Sequence, residues 1–203
     1  MKSQNQTIPG YKINEYLLVL TPGQDLEHKI SAIKKEFSET YKSNFAIGGR
    51  PQITLARFTQ LEMMEERILL RLQAIAMGSY PIKMELRDYG SFPSHTIYIN
   101  VTTKLPVRNL VKKVKEVQRL MKLDNDHKPH FIDEPYIVIA RKLLPWQYEK
   151  GWLEFSNRHF TGRFISDGML LLKRKMGELA YQVVQRLEFK NLPVNTKQGE
   201  ILF

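Results

Sequence analysis

Two octapeptides hold the residues whose types and spacing bear most directly on chemistry. Pro51-Gln52-Ile53-Thr54-Leu55-Ala56-Arg57-Phe58 and Pro135-Tyr136-Ile137-Val138-Ile139-Ala140-Arg141-Lys142 share Pro, Ile, Ala and Arg at the same four places. Each precedes a stretch with helical spacing, so the pair reads as a duplicated lobe. Side chains along a strand alternate between faces. Strict alternation puts Gln52, Thr54 and Ala56 on one face and Ile53, Leu55 and Arg57 on the other. In the second copy Tyr136, Val138 and Ala140 share a face. Two lobes packed about a pseudo-twofold axis would turn positions 52 and 54 toward 136 and 138 across a cleft. The same alternation directs Arg57 and Arg141 away from it, to pair with carboxylates or close the strand end, with phosphate contact as the alternative.

Acid–base catalysis works best with a pKa near the operating pH. Imidazole titrates near 6.5 and phenol near 10, and an amide does not titrate usefully. Gln52 can hold a phosphate oxygen or a base edge but cannot take a proton. Tyr136 can donate a hydrogen bond, or act as a general acid given a strongly lowered pKa, and Val138 offers no polar atom. The five histidines lie elsewhere. His127 and His130 fall in a polar loop, and strand spacing puts His130 roughly 20 Å from Tyr136. His95 precedes a strand and falls at the cleft rim or the surface. His28 lies on a helix and His159 before the last strands. No pair has zinc-ligand spacing, so no metal is expected.

The elements that must position these residues follow from periodicity. Residues 16–20 read as a buried strand. Thr21, Pro22 and Gln24 resemble a helix start with Thr21 as cap, and Leu26, Ile30, Ile33, Phe37 and Tyr41 continue an amphipathic helix. Gly48-Gly49 breaks the chain. Strand 51–58, helix 62–77 and strands 81–89 and 95–101 follow. The second half opens with a helix over 105–123, striped by Val107, Leu110, Val111, Val114, Val117 and Met121. A polar loop over 124–133, a strand over 135–143 and a helix over 146–157 come next. Residues 160–172 and 178–189 read as two long strands of a terminal hairpin. Residues 1–13 read as an arm, and Ile201-Leu202-Phe203 as a tail able to dock on the body. Adjacent strands mixed with helices indicate an α+β fold with antiparallel sheets.

The 203 residues are enough for one large domain or two lobes sharing a core, here a single domain of two lobes split roughly near residue 100, with exchange of strands between the lobes left open. The absence of cysteine excludes disulfides, thiolate metal sites and cysteine nucleophiles. The polar start and the lack of a long apolar run predict a cytoplasmic protein that does not enter a membrane. A formal net charge of +10 favours acidic partners, nucleic acid or nucleotide first. Arg108, Lys112, Lys115, Arg119 and Lys122 recur at spacings of four and three. They form one basic stripe able to track a phosphate backbone or to stand in solvent. Lys173-Arg174-Lys175 makes a second basic cluster. Tyr136 and Phe92 offer faces on which a base can stack, or belong to the core.

The paired octapeptides resemble the His-x-Thr motifs of the two-histidine (2H) phosphoesterases, the group of 2′-5′ RNA ligases and cyclic phosphodiesterases. Those motifs commonly read Pro-His-Ile-Thr-Leu-Ala-Arg-Phe. The opening strand and helix fit, as do Trp146, Trp152 and Phe155 after the second motif and the terminal hairpin, so the likeness spans roughly residues 14–190. It implies a two-lobed, pseudo-twofold duplicated fold with antiparallel sheets lining a central cleft and helices outside. It also implies two histidines that flank a scissile phosphate as base and acid, threonines that hold phosphate oxygens, and no cofactor or metal. Carried over by position, the histidines become Gln52 and Tyr136, and the threonines become Thr54 and Val138. The expectation is a protein that binds RNA ends or nucleotide phosphates without efficient turnover. The alternatives are an active phosphodiesterase or ligase with relocated groups, and a protein-interaction scaffold.

Overall fold

The computed structural model describes residues 12–43 and 49–192. The expected arm up to residue 11, Gly48 and the tail Ile201-Leu202-Phe203 lie outside the described residues. The chain runs β1 (Ile13–Leu20), α1 (Gln24–Tyr41), β2 (Ile53–Leu61), a 3-10 turn (Glu62–Met64) and α2 (Glu65–Met77). It continues through β3 (Ile82–Phe92), β4 (Thr96–Val101), α3 (Lys104–Lys115), α4 (Gln118–Met121), β5 (His130–Phe131) and β6 (Tyr136–Arg141). It ends with α5 (Pro145–Phe155), β7 (Thr161–Ser166), β8 (Gly168–Lys175) and β9 (Gln182–Glu188).

The strands form two antiparallel sheets, as expected of an α+β fold. Sheet A has the order β5-β2-β1-β8-β9 and sheet B the order β6-β4-β3-β7. Each sheet draws strands from both sides of residue 100. The helices α1 and α5 lie against sheet B, and α2 and α4 against sheet A. Tyr16, Leu18, Leu20, Phe37, Ile53, Ile97, Ile137 and Phe155 belong to one buried apolar cluster under these helices. A small second cluster, Leu17, Val19 and Leu172, occupies the opposite face of sheet A. Gln147 ties two helix ends together: its Oε1 accepts from Leu144 N at 2.9 Å and its Nε2 donates to Tyr41 O at 2.9 Å.

Three expectations change. The first helix begins at Gln24 with Gly23 as N-cap and no side-chain cap, so Thr21 does not cap it. Asp25 and Glu27 in its first turn complement the helix dipole instead. The helix expected over 105–123 breaks after Lys115 and resumes at Gln118. The long strand expected over 160–172 divides at Asp167 into β7 in sheet B and β8 in sheet A, and only β8 forms the hairpin with β9. Ser166-Asp167-Gly168 interrupts the apolar pattern at this crossover, and Phe164 before it and Met169 after it meet the same core.

Candidate functional site

The registers of β2 and β6 fix which side chains share a face, because directly opposed residues of an antiparallel pair point the same way. Leu18 pairs with Ala56, but Val19 pairs with Thr54, which leaves Leu55 as an extra residue in β2. The second copy repeats the device. Ile97 pairs with Ala140 and Tyr98 with Val138, so Ile139 is the extra residue in β6. Each octapeptide therefore carries a β-bulge at its fifth residue, which reverses the alternation beyond it.

The bulges correct the strict-alternation reading. Leu55 and Ala56 both enter the core, as do Ile139 and Ala140. Ala56 and Ala140 thus leave the face of Thr54 and Val138. Arg57 joins that face opposite Leu17, and Arg141 joins it opposite Thr96. Both arginines are exposed. Neither makes an ion pair among the described residues. The apolar doublets Leu55-Ala56 and Ile139-Ala140 are the sequence signal for this, since an alternating strand has no reason to place two core residues in succession.

Opposite the core, sheet A thus presents Thr54, Arg57, Leu17, Val19 and Leu172, with Glu15, Arg174 and Tyr181 at one end. Arg174 Nε donates to Glu15 Oε2 at 2.6 Å, Tyr181 Oη to the same oxygen at 3.3 Å, and the guanidinium lies 4.6 Å from the Tyr181 ring centre. Burial raises the Tyr181 phenol above its ordinary range. Gln52 precedes β2 and is half-buried like Thr54. Neither makes a side-chain hydrogen bond among the described residues.

On sheet B, Tyr136 stands opposite Asn100 and Val138 opposite Tyr98. The Tyr136 ring meets Phe92 edge-on at 5.2 Å and Tyr98 at 5.0 Å, and Phe92 and Tyr98 meet at 4.8 Å. The triad depends on a bulge in β3. Leu86 pairs with Val101 and the next pair is Tyr89 with Ile99, so β3 carries an extra residue there. Asp88 takes φ 55° in this bulge, and its carboxylate accepts from Phe160 N at 3.1 Å. Beyond the bulge Gly90 lies beneath Tyr98, where a Cβ would come within 2.6 Å of the ring. Half-buried Tyr136 makes no hydrogen bond among the described residues through its hydroxyl. The strands β2 and β6 approach with Cα atoms within 8 Å.

The remaining candidates scatter. Four residues of the basic stripe lie along exposed positions of α3 and α4 and the fifth, Lys122, just after them, but the helix break interrupts the stripe. Arg108 pairs with Glu134 and donates to Asp133 O at 3.1 Å. Lys115 lies 5.7 Å from the Phe131 ring and Lys122 donates to Asn125. Lys112 and Arg119 stand in solvent. The second basic cluster is largely neutralised: Lys173 meets Glu62 and Glu65 at 3.2 and 2.9 Å, and Arg174 meets Glu15. His95 is exposed beside Phe92, ring centres 6.4 Å apart, with Nδ1 at 2.9 Å from Pro93 O. His127 binds Asp124, and His159 lies 3.3 Å from Asp88. His130 is the exception to its loop assignment. It lies in β5, which pairs with the edge of β2 and sets His130 opposite Arg57.

Among the described residues no group of three His, Asp or Glu could hold a metal ion, and no helix is long and apolar enough to cross a membrane. A cavity of about 950 Å³ opens away from these strands, lined by Arg71, Tyr80, Lys113, Arg119 and Leu192. None of the motif residues lines that cavity.

No family model matches the chain, and no curated protein sequence matches it. Solved structures do. E. coli LigT complexed with 3′-AMP aligns with a TM-score of 0.60 at 13% identity, covering 88% of this chain and 99% of that one. E. coli LigT complexed with NADP+ aligns at 0.56 and 14%, covering 88% and 99%. A protein of Thermus thermophilus aligns at 0.55 and 13%, covering 87% and 98%. The chain therefore has the LigT-type fold that the paired motifs led us to expect.

Proposed function

We propose that this is a 2′-5′ RNA ligase/cyclic phosphodiesterase-like protein that has lost both catalytic histidines. On this reading it binds RNA ends or nucleotide phosphates in the cleft between β2 and β6 without efficient turnover. The duplicated bulge carries the proposal. It marks 51–58 and 135–142 as equivalent strands of two lobes, so Gln52 and Tyr136 stand where the family's motif has histidine. Thr54 is the one motif residue retained, and Val138 replaces the second threonine. Losing an acid or a base costs roughly two to four orders of magnitude each, so a site without both keeps its binding chemistry and little of its rate.

The free polar atoms of Gln52, Thr54 and Tyr136 supply hydrogen bonds to a phosphate or base, and the Phe92–Tyr98–Tyr136 cluster supplies ring faces for stacking. LigT, which shares the fold, was crystallised with 3′-AMP, NADP+ and ATP. The expected cytoplasmic location and RNA partner belong to the same proposal. The test is calorimetric titration with 3′-AMP in the presence of a chelator. Binding that weakens with salt and falls on Thr54→Val supports the reading. An absence of binding at low salt refutes it and favours an interaction scaffold.

A further inference from the structure

We propose that Arg57 and His130 form a second phosphate subsite that selects an oligonucleotide end over a mononucleotide; the inference rests on the cleft reading above. The strand β5 is two residues long, and what it does structurally is place His130 directly opposite Arg57 on the free edge of β2. Opposed residues share a face, so both side chains leave the sheet on the same side. The bulge at Leu55 puts both on the side that carries Thr54. Without that extra residue they would face the core.

The charge environment favours an anion. Arg57 and His130 are exposed and make no ion pair among the described residues. The one carboxylate on this face of β1, Glu15, is committed to Arg174 and Tyr181. Lys128, two residues before His130, adds a further exposed cation. Geometry favours a second phosphate over the first. Arg57 is three residues beyond Thr54 with the bulge between, an advance of about two strand positions or roughly 7 Å. This is comparable to the step between successive phosphates of an extended RNA strand. A phosphate held at Thr54 is therefore followed by one at Arg57 and His130. A planar guanidinium and an imidazole on one face give several N–H donors to its oxygens.

The experiment compares 3′-AMP with the dinucleotide ApA 3′-phosphate by titration of the wild type, Arg57→Gln, His130→Gln and Thr54→Val. Both glutamine variants change exposed side chains, and thermal unfolding checks that they fold. Each is expected to weaken the dinucleotide about tenfold, the value of one charge-assisted hydrogen bond, and to leave 3′-AMP within about twofold. Arg57→Gln also lowers the salt slope for the dinucleotide by about one phosphate contact. Thr54→Val weakens both ligands. Equal effects of His130→Gln on both ligands, or none on either, overturn the second subsite while the cleft reading stands. Failure of the wild type to bind either ligand overturns both.

Discussion

Replacing Tyr136 separates the structural work of its ring from the ligand work of its hydroxyl. The ring is half-buried against Phe92 and Tyr98 at 5.2 and 5.0 Å. Two such aromatic contacts contribute about 1 kcal/mol each beyond area burial, and the half-buried ring adds about 1 kcal/mol more. Tyr136→Ala is therefore expected to cost about 2 to 3 kcal/mol. At about 2–4 °C per kcal/mol for a chain of this size, the melting temperature falls by roughly 5–10 °C. Tyr136→Phe keeps the ring and removes a hydroxyl that has no hydrogen-bond partner among the described residues, so stability stays within about 0.5 kcal/mol. The hydroxyl matters only if it donates to a ligand, so Tyr136→Phe weakens 3′-AMP about tenfold. Calorimetric unfolding and titration measure the two effects on the same samples. Equal destabilisation by Phe and Ala would mean that the hydroxyl is structurally bonded. Unchanged 3′-AMP affinity in both variants would remove Tyr136 from the site.

Two further outcomes follow from local geometry. Gly90→Ala forces a Cβ to within 2.6 Å of the Tyr98 ring and must displace it. A loss of about 1–3 kcal/mol, with a shift in the Tyr98 resonances, is expected; an unchanged spectrum would mean the aromatic cluster is loose. Lys34 is buried on α1, donates to Gly49 O at 2.6 Å, and is pushed down to about 8, first by burial and then by Arg141. The unfolded lysine holds its proton to about pH 10.4, so the unfolded state binds more protons above pH 8 and stability rises with pH from there. The tyrosines oppose this at higher pH, Tyr41 being pushed up to about 12. Denaturant unfolding between about pH 7 and 9.5 should show a gain of roughly 1–2 kcal/mol that Lys34→Met abolishes. A flat profile in the wild type contradicts it.

Fold class is legible in the sequence because apolar spacing and the paired octapeptides agree. Stretches that read as strand hide what the backbone does within them. Leu55, Ile139 and the turn at Asp167 lie in stretches that read as uniform strand, yet each changes which face or sheet the following residues join. Strict alternation assigns Arg57 and Arg141 to the wrong face for that reason. His130 reads as loop because a strand of two residues has no periodicity, and it exists through pairing with the edge of β2. The basic stripe fails differently: its spacing is right, but the helix break and the pairing of Arg108 with Glu134 disperse its charge. Aligning the repeat singles out Gln52, Thr54 and Tyr136 as candidates, whereas their lack of side-chain hydrogen bonds among the described residues becomes visible only in the structure.

The central claim concerns the absent acid–base pair, and a turnover assay tests it most directly. Hydrolysis of adenosine 2′,3′-cyclic phosphate is followed, with chelator present, for the wild type and the triple variant Gln52→His, Tyr136→His, Val138→Thr. The account predicts binding with negligible hydrolysis by the wild type and a gain of at least roughly two orders of magnitude in the triple variant. Robust metal-independent hydrolysis by the wild type would contradict it.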